Sequence, residues 1–189
     1  MKFFLDFLHQ KVPRAGKEIP RYYSRALMSS EILLVVYFLA CFCLYPLINH
    51  GRWEWIPLLF TAGAGLCLRT ARRAGIRINL LGYALVCFGW VYWNVHHFGW
   101  SSGVQHFLTL MVVLVFFNIF DRPLYKMIWL AVILAFRILL FSVSQQVPPV
   151  YKMDTDANTV YQTLNTVAFF LMLAVMCIIF SSSIQDTER

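Results

Sequence analysis

Arg137 is the sharpest chemical anomaly in this 189-residue chain, a guanidinium ten residues into an apolar run, Met127 to Val143, that holds no other charge. A planar, always-charged fork of that kind is suited to gripping a carboxylate or a phosphate. At about 1.5 Å per helical residue it sits roughly 15 Å from one end of the run. A cation at that depth in a bilayer costs at least a few kcal/mol on insertion scales, about 3, so it should face other helices and find partners. No carboxylate falls at matching depth, since Glu31 lies near the end of another apolar run and Asp121 in a turn. The partners on offer are Thr109, Tyr92, Asn94 and Asn165, or an anionic ligand.

Histidines form the second chemical group. His50, His96, His97 and His106 fall at one set of run ends, with Glu54, Asp154 and Asp156 on the same side. Imidazole with carboxylate is a zinc-competent set, and imidazole alone can sense pH. The spacing, however, makes no HExxH, and adjacent His96 and His97 should point apart on a helix. Haem held by two histidines needs facing residues that this spacing does not provide. No metal and no cofactor is therefore expected. Trp53, Trp55, Trp90, Tyr92, Trp93 and Trp100 crowd the same ends, either as a belt at a membrane interface or as the wall of an apolar pocket with a few polar groups. The ligand-binding candidates are Arg137, Asn94, His97, His106, Tyr92, Thr109, Asn165, Trp93 and Trp100. Phosphate-binding glycine loops, nucleophile elbows and paired carboxylates are absent from the sequence. The five cysteines lie inside apolar runs without CxxC spacing and read as small packing residues.

The elements that must position these groups follow from composition. The chain is 60% hydrophobic and 13% charged, the make-up of a polytopic all-α membrane protein. Six spans are predicted, over about Met28 to Ile48, Ile56 to Leu68, Ile78 to Phe98, Val104 to Phe120, Met127 to Val143 and Val160 to Ile184. Residues 1–25 form a basic segment whose Phe3, Phe4, Phe7 and Leu8 suit a short interfacial helix; residues 26–184 form the membrane domain. The stretch Thr61 to Gly65, and Gly82 with Gly89 seven residues on, would let helices approach closely. A polar loop is expected over 144–162.

Charge sets the orientation. Lys2, Lys11, Arg14, Lys17, Arg21, Arg25, Arg69, Arg72, Arg73, Arg77, Arg122, Lys126 and Arg189 fall on one side; Arg52 and Lys152 fall on the other. By the positive-inside rule both termini are cytoplasmic. The basic residues are thus spent on topology, and no nucleic acid is expected as a partner.

The last run leaves the membrane as FSSSIQDTER, Phe180 to Arg189, without Gly or Pro, so residues 185–189 read as the start of an output helix, with Phe180, Ser183, Ile184 and Asp186 as transmission residues. Six spans, a basic N-terminal segment and this polar helical exit resemble the N-terminal sensor regions of bacterial membrane receptors. The chain looks most like the membrane part of multi-pass diguanylate cyclases with a GGDEF domain; histidine kinase and adenylate cyclase sensor regions are similar. The resemblance implies a homodimer in the cell membrane that detects a small ligand and passes a change to a cytoplasmic effector in cyclic-di-GMP or related signalling. No GGDEF or kinase sequence is present, so the chain itself is expected to be no enzyme. The alternative is a small transporter, disfavoured because the inner halves of the spans read as almost purely apolar apart from Asn118.

Overall fold

The computed structural model describes residues 21–48, 54–70, 76–117, 123–151 and 153–188, the side chains of 21, 22, 48, 76, 77 and 183–188 aside. The interfacial helix expected within residues 1–20, His50, Arg52, Arg72, Arg73, Asn118, Asp121, Lys152 and the side chains of Ser183, Ile184 and Asp186 lie outside the described residues.

Six α-helices make up the fold among those residues: α1 (Arg21–Ile48), α2 (Ile56–Thr70), α3 (Ile76–Phe98), α4 (Phe107–Phe117), α5 (Pro123–Gln146) and α6 (Thr155–Glu188). Four of them, α1, α3, α5 and α6, are long and apolar enough to cross a bilayer, whereas α2 and the Val104–Phe117 segment are shorter apolar helices. Ring and hydrogen-bond pairs fix their directions. Tyr37 and Tyr45 of α1 meet Trp90 and Asn94 of α3 in the same order, so α1 and α3 run parallel. The same tyrosines meet Asn165 and Tyr161 of α6 in reverse order, so α6 runs antiparallel to both. The Arg21 end of α1 and the Glu188 end of α6 therefore share one end of the bundle, and the turns after α3 occupy the other.

α3 is the hub: half of its apolar window is buried, against 11% for α5, whose Leu124, Ile128, Val132, Ile138 and Leu139 face outward. The core gathers Trp90, Phe38, Tyr45, Phe107, Leu110 and Met111. Small residues let α2 and α3 close up, as the sequence suggests. A Cβ on Gly82 would lie 2.9 Å from Cys67 Sγ, and one on Gly89 would lie 3.1 Å from the Phe60 ring, so both glycines face α2. Of the Thr61 to Gly65 stretch, Gly63 faces α3 through Val86 while Gly65 meets nothing.

Several expected boundaries move. α1 begins at Arg21, seven residues before the apolar run, because Tyr23, Ala26 and Leu27 already have core positions to fill. The fourth apolar run does not begin as α-helix: two 3-10 turns, Trp100–Ser102 and Val104–His106, precede α4, hinged on Gly99 (φ 85°) and Gly103 (φ 75°), left-handed conformations that glycine adopts freely. The polar loop expected over 144–162 is shorter, since α5 continues to Gln146 and α6 starts at Thr155, where Asp156 in the first turn favours the helix N-terminus. The helix halves toward the Arg21 end of α1 are also less apolar than expected: Glu31 and Asn79, both buried, pair across α1 and α3.

Candidate functional site: a buried polar network at the turn end

Aromatic and amide side chains inside an apolar bundle must find partners, because hydrocarbon offers none. Here they find one another. Trp90 Nε1 donates to Tyr37 OH (3.1 Å), and Tyr37 OH donates to Asn165 Oδ1 (2.6 Å). Asn165 Nδ2 donates to the Ser102 carbonyl (2.7 Å), and Ser102 Oγ donates back to the Gly99 carbonyl (2.9 Å). A second branch centres on Asn94, whose Nδ2 donates to the Trp90 carbonyl (2.9 Å). Its Oδ1 accepts from Tyr45 OH (3.3 Å), and Tyr161 OH, itself 3.2 Å from Tyr45 OH, also donates to it. Asn94, Asn165, Tyr45, Tyr161 and Ser102 are fully enclosed. The network thus locks α1, α3, the first 3-10 turn and the N-terminal part of α6 into one arrangement.

A clip closes the same end. The Val150 and Tyr151 amides donate to the His96 and His97 carbonyls (3.3 and 2.8 Å), satisfying acceptors left open at the end of α3. Tyr151 OH reaches Glu54 Oε1 (3.0 Å), and the Tyr151 ring stacks on His97. His97 Nδ1 lies 2.8 Å from the Trp93 carbonyl, so Nδ1 carries the hydrogen, and the ring stacks on Trp93 at 4.4 Å.

The nine candidates for ligand binding therefore divide. Asn94 and Asn165 are network members with their amides engaged inside the bundle. Trp93 and His97 are half-buried and stacked together; Tyr92 is exposed and stacks on His96, and Trp100 packs edge-on against Phe141. Tyr92 and His96 line a small groove against Leu140, Val143 and Ser144 of α5 and Val147 just beyond it. His96 and His97 do not splay as far as expected: both rings lean back over the preceding turn and their centroids are 5.0 Å apart. Arg137 is half-buried on α5, within electrostatic reach of the exposed His106, and Thr109 is half-buried on α4. Among the described residues no hydrogen bond or ion pair ties Arg137 to Thr109, Tyr92, Asn94 or Asn165. Among the described residues, too, no three His, Cys, Asp or Glu side chains converge as a metal set. At the far end of α6, Phe180 stacks on Phe117 of α4 at 4.4 Å.

Tyr37, Tyr45 and Tyr161 were missing from the sequence-derived candidates. The available signal was depth: hydroxyl-bearing residues that fall at matching heights in different apolar runs are the partners the asparagines require. Comparison with known proteins adds no family: no family model, no curated protein and no solved structure matches the chain.

Proposed function

We propose that the chain is a six-span membrane sensor of a bacterial cell membrane, both termini cytoplasmic, in which α6 passes a conformational change from the turn end to a cytoplasmic effector. The observation that carries this reading is the continuity of α6. It is one helix of 34 residues, about 51 Å long against about 30 Å of hydrocarbon. Its outer part is held by the network through Tyr161 and Asn165, and its other end runs past the apolar segment, which closes at Ser182. A ligand at the turn end that favours one arrangement of the network shifts the population of α6 positions. The half-buried guanidinium of Arg137, which no ion pair engages among the described residues, stands beside His106 and suits an anionic group, with Tyr92, Trp93, His97, Trp100 and Thr109 around the same end of the bundle. The resemblance to the sensor regions of diguanylate cyclases rests on layout, and it supplies the proposed output and the proposed homodimer, whose protomers would meet through the outward apolar faces of α5 and α6. In this reading the chain performs no catalysis of its own.

A small transporter is the second reading, and the Glu31–Asn79 pair favours it, because polar groups now stand at both ends of the α1–α3 seam. Leu34 and Cys87, buried in the core between the two polar clusters, weigh against an open path.

Fusing a reporter catalytic domain after Arg189 and inserting one to four residues at the joint tests the sensor reading. Output that rises and falls with the helical period is the expected result. Output indifferent to the insertions sinks it and moves transport to first place.

A further inference from the structure

Near the opposite end of the bundle from the network, a carboxyl is enclosed with no counter-charge among the described residues. Glu31 of α1 is 0% exposed and Asn79 of α3 is 3% exposed. Asn79 Nδ2 donates to Glu31 Oε1 at 2.7 Å. The second oxygen of the carboxyl, Glu31 Oε2, and the amide oxygen, Asn79 Oδ1, have no hydrogen-bond partner, although both are shielded from solvent. An ionised carboxylate has only acceptors and an amide oxygen is an acceptor, so as a charged pair the two groups leave one edge unmade. Burying an anion together with two orphan acceptors is among the most expensive arrangements a protein interior can hold. Among the described residues no cation offsets it: the titratable groups there in electrostatic reach of Glu31 are Cys67 from α2 and Tyr83 and Cys87 from α3, all neutral as acids.

A single proton resolves every element of this geometry. We propose that Glu31 and Asn79 form an intramembrane proton-binding site, in which the Glu31 Oε2–H donates to Asn79 Oδ1 while Asn79 Nδ2–H donates to Glu31 Oε1. The result is a cyclic acid–amide pair that is neutral and complete. A sodium ion fits less well, since it needs five or six oxygens and the enclosed acceptors here are Glu31 Oε2, Asn79 Oδ1 and the Tyr83 hydroxyl, itself without a hydrogen-bond partner. Because α1 and α3 approach less closely than α1 and α2, side chains span the seam. Loss of the proton leaves a bare anion inside it. Water entry between α1 and α3 and release of the proton are then one event, which makes the pair a proton-linked latch on the seam that also carries Tyr37–Trp90 and Tyr45–Asn94. The proposal stands whether the chain senses or transports.

Infrared spectroscopy of the full chain in lipid nanodiscs, with glutamate labelled at the side-chain carboxyl carbon, tests it. At neutral pH the wild type should show one protonated-carboxyl C=O band that shifts with the label and is lost in Glu31→Gln. In Asn79→Leu the band should persist at higher frequency, because its hydrogen bond is gone. That second variant keeps the assignment testable should the first fail to fold. Glu31→Gln, which can form the same cyclic pair as an amide–amide dimer, should keep the thermal midpoint, whereas Glu31→Ala should lower it. A wild-type spectrum without the band overturns the proposal, as does a band removed by sodium at constant pH, which would make the site a cation site.

Discussion

At the residue scale, the network is a set of groups each of which would be costly alone. Asn94 is the key member, because its Oδ1 receives two tyrosine hydroxyls. Replacing it by Leu leaves Tyr45 and Tyr161 with only each other, so one hydroxyl hydrogen loses its acceptor. An unmade buried hydrogen bond costs about 1–3 kcal/mol in water-soluble proteins, but side-chain hydrogen bonds between membrane helices average nearer 0.6. Asn94→Leu should therefore destabilise by about 1 kcal/mol, and Tyr45→Phe, which leaves the Tyr161–Asn94 bond standing, by less. Thermal unfolding in detergent measures both, and equal midpoints for the two variants would show that Asn94 is no hub. Some of this site was legible in the sequence: Asn94 and Asn165 stand out as amides in apolar runs, and Arg137 as a cation. Their partnership was not, because tyrosines are common in membrane helices and only a shared height marks Tyr37, Tyr45 and Tyr161 as partners. Glu31 was visible as a carboxylate and set aside for lying far from Arg137. Its true partner, Asn79, sits at the same height in a run whose apolar residues dominate the reading.

At the element scale, the apolar runs name the helices, and the deviations occur where helices outlast or fall short of their apolar stretch. α6 starts at Thr155 and continues to Glu188 because polar Thr, Gln, Ser and Asp are compatible with helix once packing holds the central turns. The fourth run shows the reverse: its first residues, Val104–His106, form a 3-10 turn behind Gly103, and the α-helix starts only at Phe107. Packing of α2 on α3 depends on the missing side chain at Gly82. Gly82→Ala places a Cβ 2.9 Å from Cys67 Sγ, too close for carbon against sulfur, and overpacking of this kind costs about 1–3 kcal/mol. The paired variant Gly82→Ala with Cys67→Ala should recover most of that loss in the same unfolding assay. A double variant no more stable than Gly82→Ala alone would place the strain elsewhere.

At the scale of the whole molecule, the bundle has two polar clusters on one α1–α3 seam. The turn-end network joins that seam to α6, and the Glu31–Asn79 pair lies toward the end where α6 exits. The proposed sensor works only if α6 moves as a unit when the network changes. Spin labels introduced through non-native amino acids at Thr159 and Ser182, both exposed on α6, can be paired with labels at Leu47 and Leu124, exposed on α1 and α5. The measurement is pulsed electron–electron distance analysis of wild type against Tyr161→Phe, which weakens the network at the start of α6. If α6 transmits as a rigid unit, the Leu47–Thr159 and Leu124–Ser182 distances both shift while the Thr159–Ser182 distance stays at the rigid-helix value of about 35 Å. A shift confined to the Thr159 end, or a change in the Thr159–Ser182 distance itself, would contradict it, because α6 would then absorb the change instead of transmitting it.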